Sequence, residues 1–431
     1  MTDHHKFRYL LPPGNNFAFV AKFRIWLVIS VLLMCASIGI LFVNKAVRGN
    51  YMNWTIDFKG GTEIQVAFKD KSTPANDPKY IAVDTGAVRK ALEETGDSID
   101  VSDITWTEGA DKHEVHGTII STPRYSAIKP EVEQAGADTF ADKFKDRDII
   151  NATWSGDRLF VKSKKPVTVA EAKPVFAAVG LELKDWNAKD LATYSTANED
   201  TGEYNAVYAM SGIDKQYAKI LEAKFPGKQV VVYQAYAVGA RAGDKLRNDA
   251  AKSVVFAIFL IMLYLAFRFD IRYAPGAAFA TIHDAIMVVG IFAITWTEVS
   301  LTSVAGLLTV MGYSVNDTVI VFDRIRENQA KLKDKKIERI IDISINEMLV
   351  RTILTSSTVF ATTLIMNIFG TGLVKNFAFA MNIGVIVGTY SSIFLAAPIF
   401  MWISRKWYSG PAPARRRPAP VQIVASSDLD E

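Results

Sequence analysis

The sequence predicts a membrane protein: a bundle of six spanning helices that carries a large external α+β domain of ferredoxin-like type. Three observations predict it. Half of the 431 residues are hydrophobic, yet they pool into one run near the N-terminus and a block of runs after residue 250. Six runs reach the roughly 20 helical residues that a bilayer core requires. Between the first and second lies a polar stretch of about 200 residues, long enough to bury a core of its own.

The spans are expected at 23–43, 250–267, 274–295, 301–322, 346–369 and 377–403. The first holds no charge, and its apolar core is too long for a cleaved signal peptide with no small-residue cleavage site after it. Lys252 falls near the end of the second, where its stem can reach the interface. Pro275 opens the third in a helix-start position. Lys and Arg in short loops set orientation. They gather before the first span (Lys6, Arg8, Lys22, Arg24), after the second (Arg268, Arg272), after the fourth (Arg324 to Arg339) and in the tail. The opposite turns are nearly bare. Both termini are therefore expected inside, with 1–22 an inner segment and 404–431 a disordered inner tail. The long loop, 44–249, is then external.

Within that loop, 64–68 alternates as a strand, 85–94 reads as a helix, and 104–108 with 114–120 as a strand pair. A second set follows: a helix at 129–145, a hairpin about Ser155-Gly156-Asp157, and a helix at 169–179. A strand at 204–210, a helix at 214–225 and a strand at 229–236 complete the loop. Two ferredoxin-like units, or one enlarged unit, fit this order.

Composition excludes several chemistries. The single cysteine, Cys35, rules out an internal disulfide and any C-x-x-C site. His113 and His116, three apart in a strand, point to opposite faces, so no metal site is expected. No nucleophile elbow, H-E-x-x-H or P-loop is present, so neither an enzyme nor a cofactor is expected. The net charge of +4 is small for this length. Asp57-Phe58-Lys59-Gly60-Gly61-Thr62 follows the first span; its glycines permit a turn with positive φ before a strand, and a structural turn is the reading its chemistry favours.

Ionisable groups inside a span are costly and mark function. Asp317 lies six residues inside Asp323, about 9 Å at the helical rise. Arg351 lies about 7 Å inside the same face, on the next and antiparallel span. The two are expected to pair. Arginine keeps its proton, so Asp317 is the titrating member, and its protonation would free Arg351 to move. A static ion pair is the competing reading. His283 and Asp284 lie nearer the midplane; they either extend a proton path or serve helix packing. Gly306, Gly312 and Ser314 are small enough to admit a neighbouring helix, and Asn316 is expected to bond across helices.

The segment Asp57 to Thr62, the stretch Gly312-Tyr313-Ser314-Val315-Asn316-Asp317-Thr318-Val319-Ile320-Val321-Phe322-Asp323-Arg324-Ile325-Arg326-Glu327-Asn328, and the pairs His283-Asp284 and Arg351-Thr352 resemble the SecD/SecF family of protein-export membrane proteins. That family lies within the resistance-nodulation-division (RND) superfamily. The resemblance implies half of an RND-type twelve-span unit in the bacterial inner membrane. It implies a Sec-pathway subunit that uses the proton motive force to promote late preprotein translocation and release. Asp317 and Arg351 are implied in proton conduction, with Asn316, Asp284 and His283 grouped beside them. The implied partners are SecD, the SecYEG channel, SecA indirectly, the translocating preprotein, YajC and membrane lipid, with no nucleic acid. External domains in that family are usually smaller, so about 122–204 reads as an insertion. An RND-like exporter of lipids or small molecules is the alternative, and a non-transporting scaffold a third reading.

Overall fold

The computed structural model describes residues 16–72, 80–108, 113–184, 201–269 and 271–407. The tail beyond 407, with its arginine triplet, and the aromatics Trp186 and Tyr194 lie outside these. In chain order the elements are α1 (Phe23–Arg48), β1 (Asn53–Trp54), α2 (Ile56–Lys59), β2 (Gly61–Asp70), β3 (Tyr80–Ile81) and α3 (Thr85–Leu92). Then come β4 (Asp100–Glu108), β5 (His113–Thr122), α4 (Pro130–Lys143), β6 (Ile149–Ser155), β7 (Arg158–Ser163), α5 (Val169–Ala178), β8 (Tyr204–Ala209), α6 (Ile213–Lys224) and β9 (Lys228–Val238). The rest is helical apart from one short strand: α7 (Ala240–Arg268), α8 (Ala274–Thr295), β10 (Glu298–Val299), α9 (Leu301–Lys331), α10 (Ile337–Phe369), α11 (Gly372–Ser391), a π-helical turn (Ser392–Ala396) and α12 (Ala397–Trp407).

Among the described residues six helices are long and apolar enough to cross a membrane. Three reach nine or ten residues beyond their apolar runs. α7 starts ten residues before 250, α9 continues nine past 322, and α10 starts nine before 346. Hydropathy locates the bilayer, whereas the helix continues through polar turns stitched by pairs such as Arg247–Asp244 and Lys331–Glu327. Phe19 and Val20 donate their N–H groups to Asp342 near the start of α10 (2.9 and 3.0 Å), and Arg405 of α12 pairs with Glu338 there. Both described ends of the chain therefore sit at one end of the bundle.

The external residues form two units. The first is a βαββαβ unit: β2 is flanked by β9 on one side and by β5 on the other, with β4 beyond. Helices α3 and α6 cover one face, burying Val88, Leu92, Tyr217 and Leu221 against Ile64, Val66, Phe68 and Ile120. The alternation in β2 supplies this face, since every second side chain points to it. The second unit lies in sequence between β5 and α6. It is a three-stranded antiparallel sheet, β6–β7–β8, with α4 and α5. A capping box at Thr168 and Glu171 starts α5.

The core of the second unit centres on Phe140, stacked on Phe176 at 5.4 Å and tilted against Tyr208 at 5.2 Å. All three are fully buried. Phe140→Ala is expected to cost about 3–5 kcal/mol. Hydrogen exchange on the full chain checks it: β6–β8 amides should lose protection while β2 and β5 keep theirs.

Candidate functional site

The membrane-embedded site is built where α8, α9, α10 and α11 meet. Its scaffold is a close approach of α9 and α11. A Cβ on Gly306 would stand 2.9 Å from the Ala380 Cβ, one on Gly384 2.2 Å from both Val310 methyls, and one on Gly388 3.0 Å from the Ser314 Cβ. The contacts advance by four residues on each helix, so the two run parallel with small residues in register. Gly306 and Ser314 thus admit a neighbour as their size predicts. Gly312 does not, because a Cβ there meets nothing within 4 Å.

Asp284, on α8, is fully buried. Its Oδ2 accepts from Ser314 (2.5 Å) and Ser391 (2.8 Å), and its Oδ1 faces His283 Nδ1 at 3.0 Å. Three helices therefore meet on one carboxylate. His283 is also buried, and its Nε2 has no protein partner among the described residues; the ring lies 6.0 Å from that of Tyr390. Just past Ser391, the π-helical turn interrupts the last span, a distortion that recurs at functional sites.

Asp317, on α9, is 1% exposed. Its Oδ2 takes the Ser356 hydroxyl of α10 at 3.4 Å, and Thr389 Oγ1 of α11 stands 2.7 Å behind Ser356. Thr389 and Ser391 were not singled out from the sequence. Their signal was the polar band Gly388-Thr389-Tyr390-Ser391-Ser392 in the middle of an apolar run.

The expected contact between Asp317 and Arg351 is absent. Arg351 acts on Asp317 across space, while Ser356 holds the carboxylate. The reason is azimuth: Thr352 and Ser356, four apart, face into the bundle and are buried. Arg351 is one residue off that face, about 100° round the helix, and is exposed. It lines a cavity of about 350 Å³ with Arg268, Asp323, Arg324 and Glu327 at the basic end of the bundle. Asn316 is also exposed and points away from the site. The structure therefore buries Asp317 and the Asp284–His283 pair at the four-helix junction, each with its own hydroxyl partners, sets Arg351 at the vestibule, and leaves Asn316 outside.

The Asp57 to Thr62 segment ties the external domain to the helix that carries Asp317. Strand β1 pairs in parallel with β10, just before α9. Asp57 Oδ2 accepts from the Leu301 N–H at 3.2 Å, and Thr55 N–H donates to the Val299 carbonyl at 3.0 Å. A carboxylate at this helix start satisfies an orphan donor and suits the helix dipole. Gly60 and Gly61 have φ of 76° and 127°. A Cβ on Gly60 would meet the Ala240 Cα at 2.8 Å, where α7 begins. The segment is thus a knot between β2, α7 and α9 as well as a turn. Among the described residues no group of three or more His, Cys, Asp or Glu could hold a metal ion.

The family model for "Protein export membrane protein SecD/SecF, C-terminal" matches residues 216–406. The protein translocase subunit SecF of Gemmatimonas aurantiaca is 37% identical over 256 residues, 58% of this chain and 76% of that one. The protein of the same name from Koribacter versatilis is 29% identical over 425 residues, 96% of this chain and 99% of that one. SecDF from Thermus thermophilus, described as a translocon-associated membrane protein, has the same fold at a TM-score of 0.54 and 23% identity. The match covers 90% of this chain and 39% of that one, so the chain spans about two fifths of that protein's length. A multipass membrane chain with six spanning helices, this sequence belongs to the SecF family of protein translocase subunits.

Proposed function

We propose that the chain is a proton-driven, non-enzymatic subunit of the Sec export machinery. In this reading it sits in the bacterial inner membrane with both termini cytoplasmic and, with SecD, promotes late preprotein translocation and release. The observation that carries the proposal is the pair of carboxylates, Asp317 and Asp284, each held by hydroxyls in a band between four helices. Carboxylates buried at that depth persist where protonation changes are used. Hydroxyls can both donate and accept, so they can relay a proton between the two. Arg351, in its charged vestibule, connects Asp317 to the cytoplasmic end.

A second membrane half is supported by the bundle itself. Helix α7 has only 6% of its apolar window buried, and it exposes Phe256, Phe259, Leu260 and Tyr264. SecD and lipid would share that face. The SecYEG channel, SecA, YajC and the preprotein would then be met through the assembled pair. One charge crossing 100 mV releases about 2.3 kcal/mol, so a few protons per cycle suffice to move the external domain through the Asp57 knot.

The test uses membrane vesicles that hold the chain with its SecD partner. Late preprotein release is followed after ATP is exhausted, with the proton gradient intact or collapsed. The gradient should speed release; equal rates in an intact complex overturn the proposal.

A further inference from the structure

A second group of carboxylates lies outside the membrane, at the base of the external domain. It surrounds a cavity of about 400 Å³ between the sheet and the external ends of α9 and α11. Asp57 of α2, Glu63 of β2, Tyr236 of β9 and Glu298 of β10 line it from the domain side and the link, and Thr302 and Asn376 from the helices. Glu63 and Tyr236 are paired in register, and the Tyr236 hydroxyl donates to the Glu63 carboxylate. Asp100 of β4 faces Glu298 with a further negative charge, and Lys59 is the cation that acts on it.

Burial pushes Glu63 up to about 7, and the charges of Glu298 and Asp57 add to the rise, against the Tyr236 hydrogen bond. Burial also raises Glu298, helped by Asp100 and opposed by Lys59. Like charges around one poorly hydrated space disfavour ionisation.

We propose that the facing carboxylates Glu63 and Glu298 form a protonation-dependent dock, which holds the external domain down on α9 and α11 when Glu63 carries a proton and lets it lift when Glu63 is ionised. The β1–β10 pairing and the Asp57 hydrogen bond to Leu301 remain as the pivot. Docking buries Glu63 and lifting returns it to water, where its ordinary value is 4.5. The docked state therefore binds the proton more tightly. Its advantage is complete below about 4.5 and is lost as pH rises through about 7. Between pH 6 and pH 8 the docked-to-lifted ratio should fall about tenfold. The dock goes beyond the export reading, and its readout needs no transport.

The experiment places spin labels at Lys90→Cys, on α3, and Lys375→Cys, at the external end of α11, in the full chain in lipid nanodiscs. Cys35→Ser removes the one native thiol. Electron–electron distances are measured from pH 5 to pH 8. The wild-type background should show one short distance in acid and a longer population that grows as pH rises from about 4.5 to about 7. Glu63→Gln should stay short throughout, and Glu298→Gln, which removes a repelling charge from the docked state, should shrink the longer population at pH 7 and above. A pH-independent distance in the wild-type background, or a Glu63→Gln chain that titrates like it, overturns the proposal. Should Glu63→Gln fail to fold, Glu298→Gln decides, and an undiminished longer population overturns the dock.

Discussion

Vesicles carrying Asp317→Asn should release preprotein at the same late rate with and without a proton gradient, although the protein folds and assembles. The amide keeps the shape of the carboxylate and its bond from Ser356, so packing of α9 on α10 is preserved. What it loses is the ability to exchange a proton and change charge. A single proton falling through 100 mV supplies about 2.3 kcal/mol, roughly a 50-fold bias on a conformational equilibrium. The gradient-dependent component should therefore vanish, whereas the gradient-independent rate stays within about twofold. Asp317→Glu, which still titrates, should retain part of the effect. A gradient response of wild-type size in Asp317→Asn would make the buried carboxylate a packing element and remove the basis of the proposed mechanism.

Gly61→Ala should be among the most damaging single-methyl changes in the chain. Gly61 opens β2 at φ 127°, in a region L-residues avoid at a cost of about 1–3 kcal/mol. Its Cβ would also stand 2.2 Å from the Thr122 carbonyl oxygen. That oxygen belongs to the backbone of β5, paired with β2 along six residues, so it cannot swing aside as a side chain would. Strain and clash together are expected to exceed about 3 kcal/mol. Gly39→Ala is the control: it lies within α1, with nothing within 4 Å of a new Cβ. There alanine should be neutral or stabilising by up to about 1 kcal/mol. Thermal unfolding of the two purified variants checks the contrast. A Gly61→Ala protein as stable as the parent would mean that β2 and β5 part easily, and that the knot is looser than its geometry implies.

Much of this architecture was legible in the sequence, for reasons that also mark the limits. Six apolar runs reach spanning length, and length alone separates them from core helices. Asp317 and Asp284 stand out because a charge in such a run is rare. Depth is one coordinate, however, and a helix face is another. Arg351 matches Asp317 in depth but sits one residue away from the Thr352–Ser356 face, so the expected contact fails. Ser314, Thr389 and Ser391 were harder to find, because hydroxyls are common in spanning helices and bond locally to their own backbone. Thr389 does so with Val385 while it also reaches Ser356. The small-residue register Ala380-x-x-x-Gly384-x-x-x-Gly388 was present in the sequence and would have placed α11 against α9. Strand β9 was expected at 229–236 but runs from Lys228 to Val238, because its extra residues pair with Gly61 and Asp70 at the two ends of β2.

The first external unit has a consequence for how the chain matures. Its central strand, β2, is completed by β9, and Gly61 pairs with Val238 far along the chain. The second unit occupies the interval, and each of its strands pairs with the next strand along the chain. During synthesis at about 5–20 residues per second, the stretch between β5 and α6 takes roughly 5–20 s to appear. Throughout that interval one side of β2 is unpaired, whereas the second unit has all of its strands once β8 ends at Ala209, before β9 begins at Lys228. Local pairing is fast and long loops close slowly, so the second unit is expected to fold before the first sheet closes. Strand β9 then closes the first sheet and runs straight into α7, so completing that sheet positions the second span.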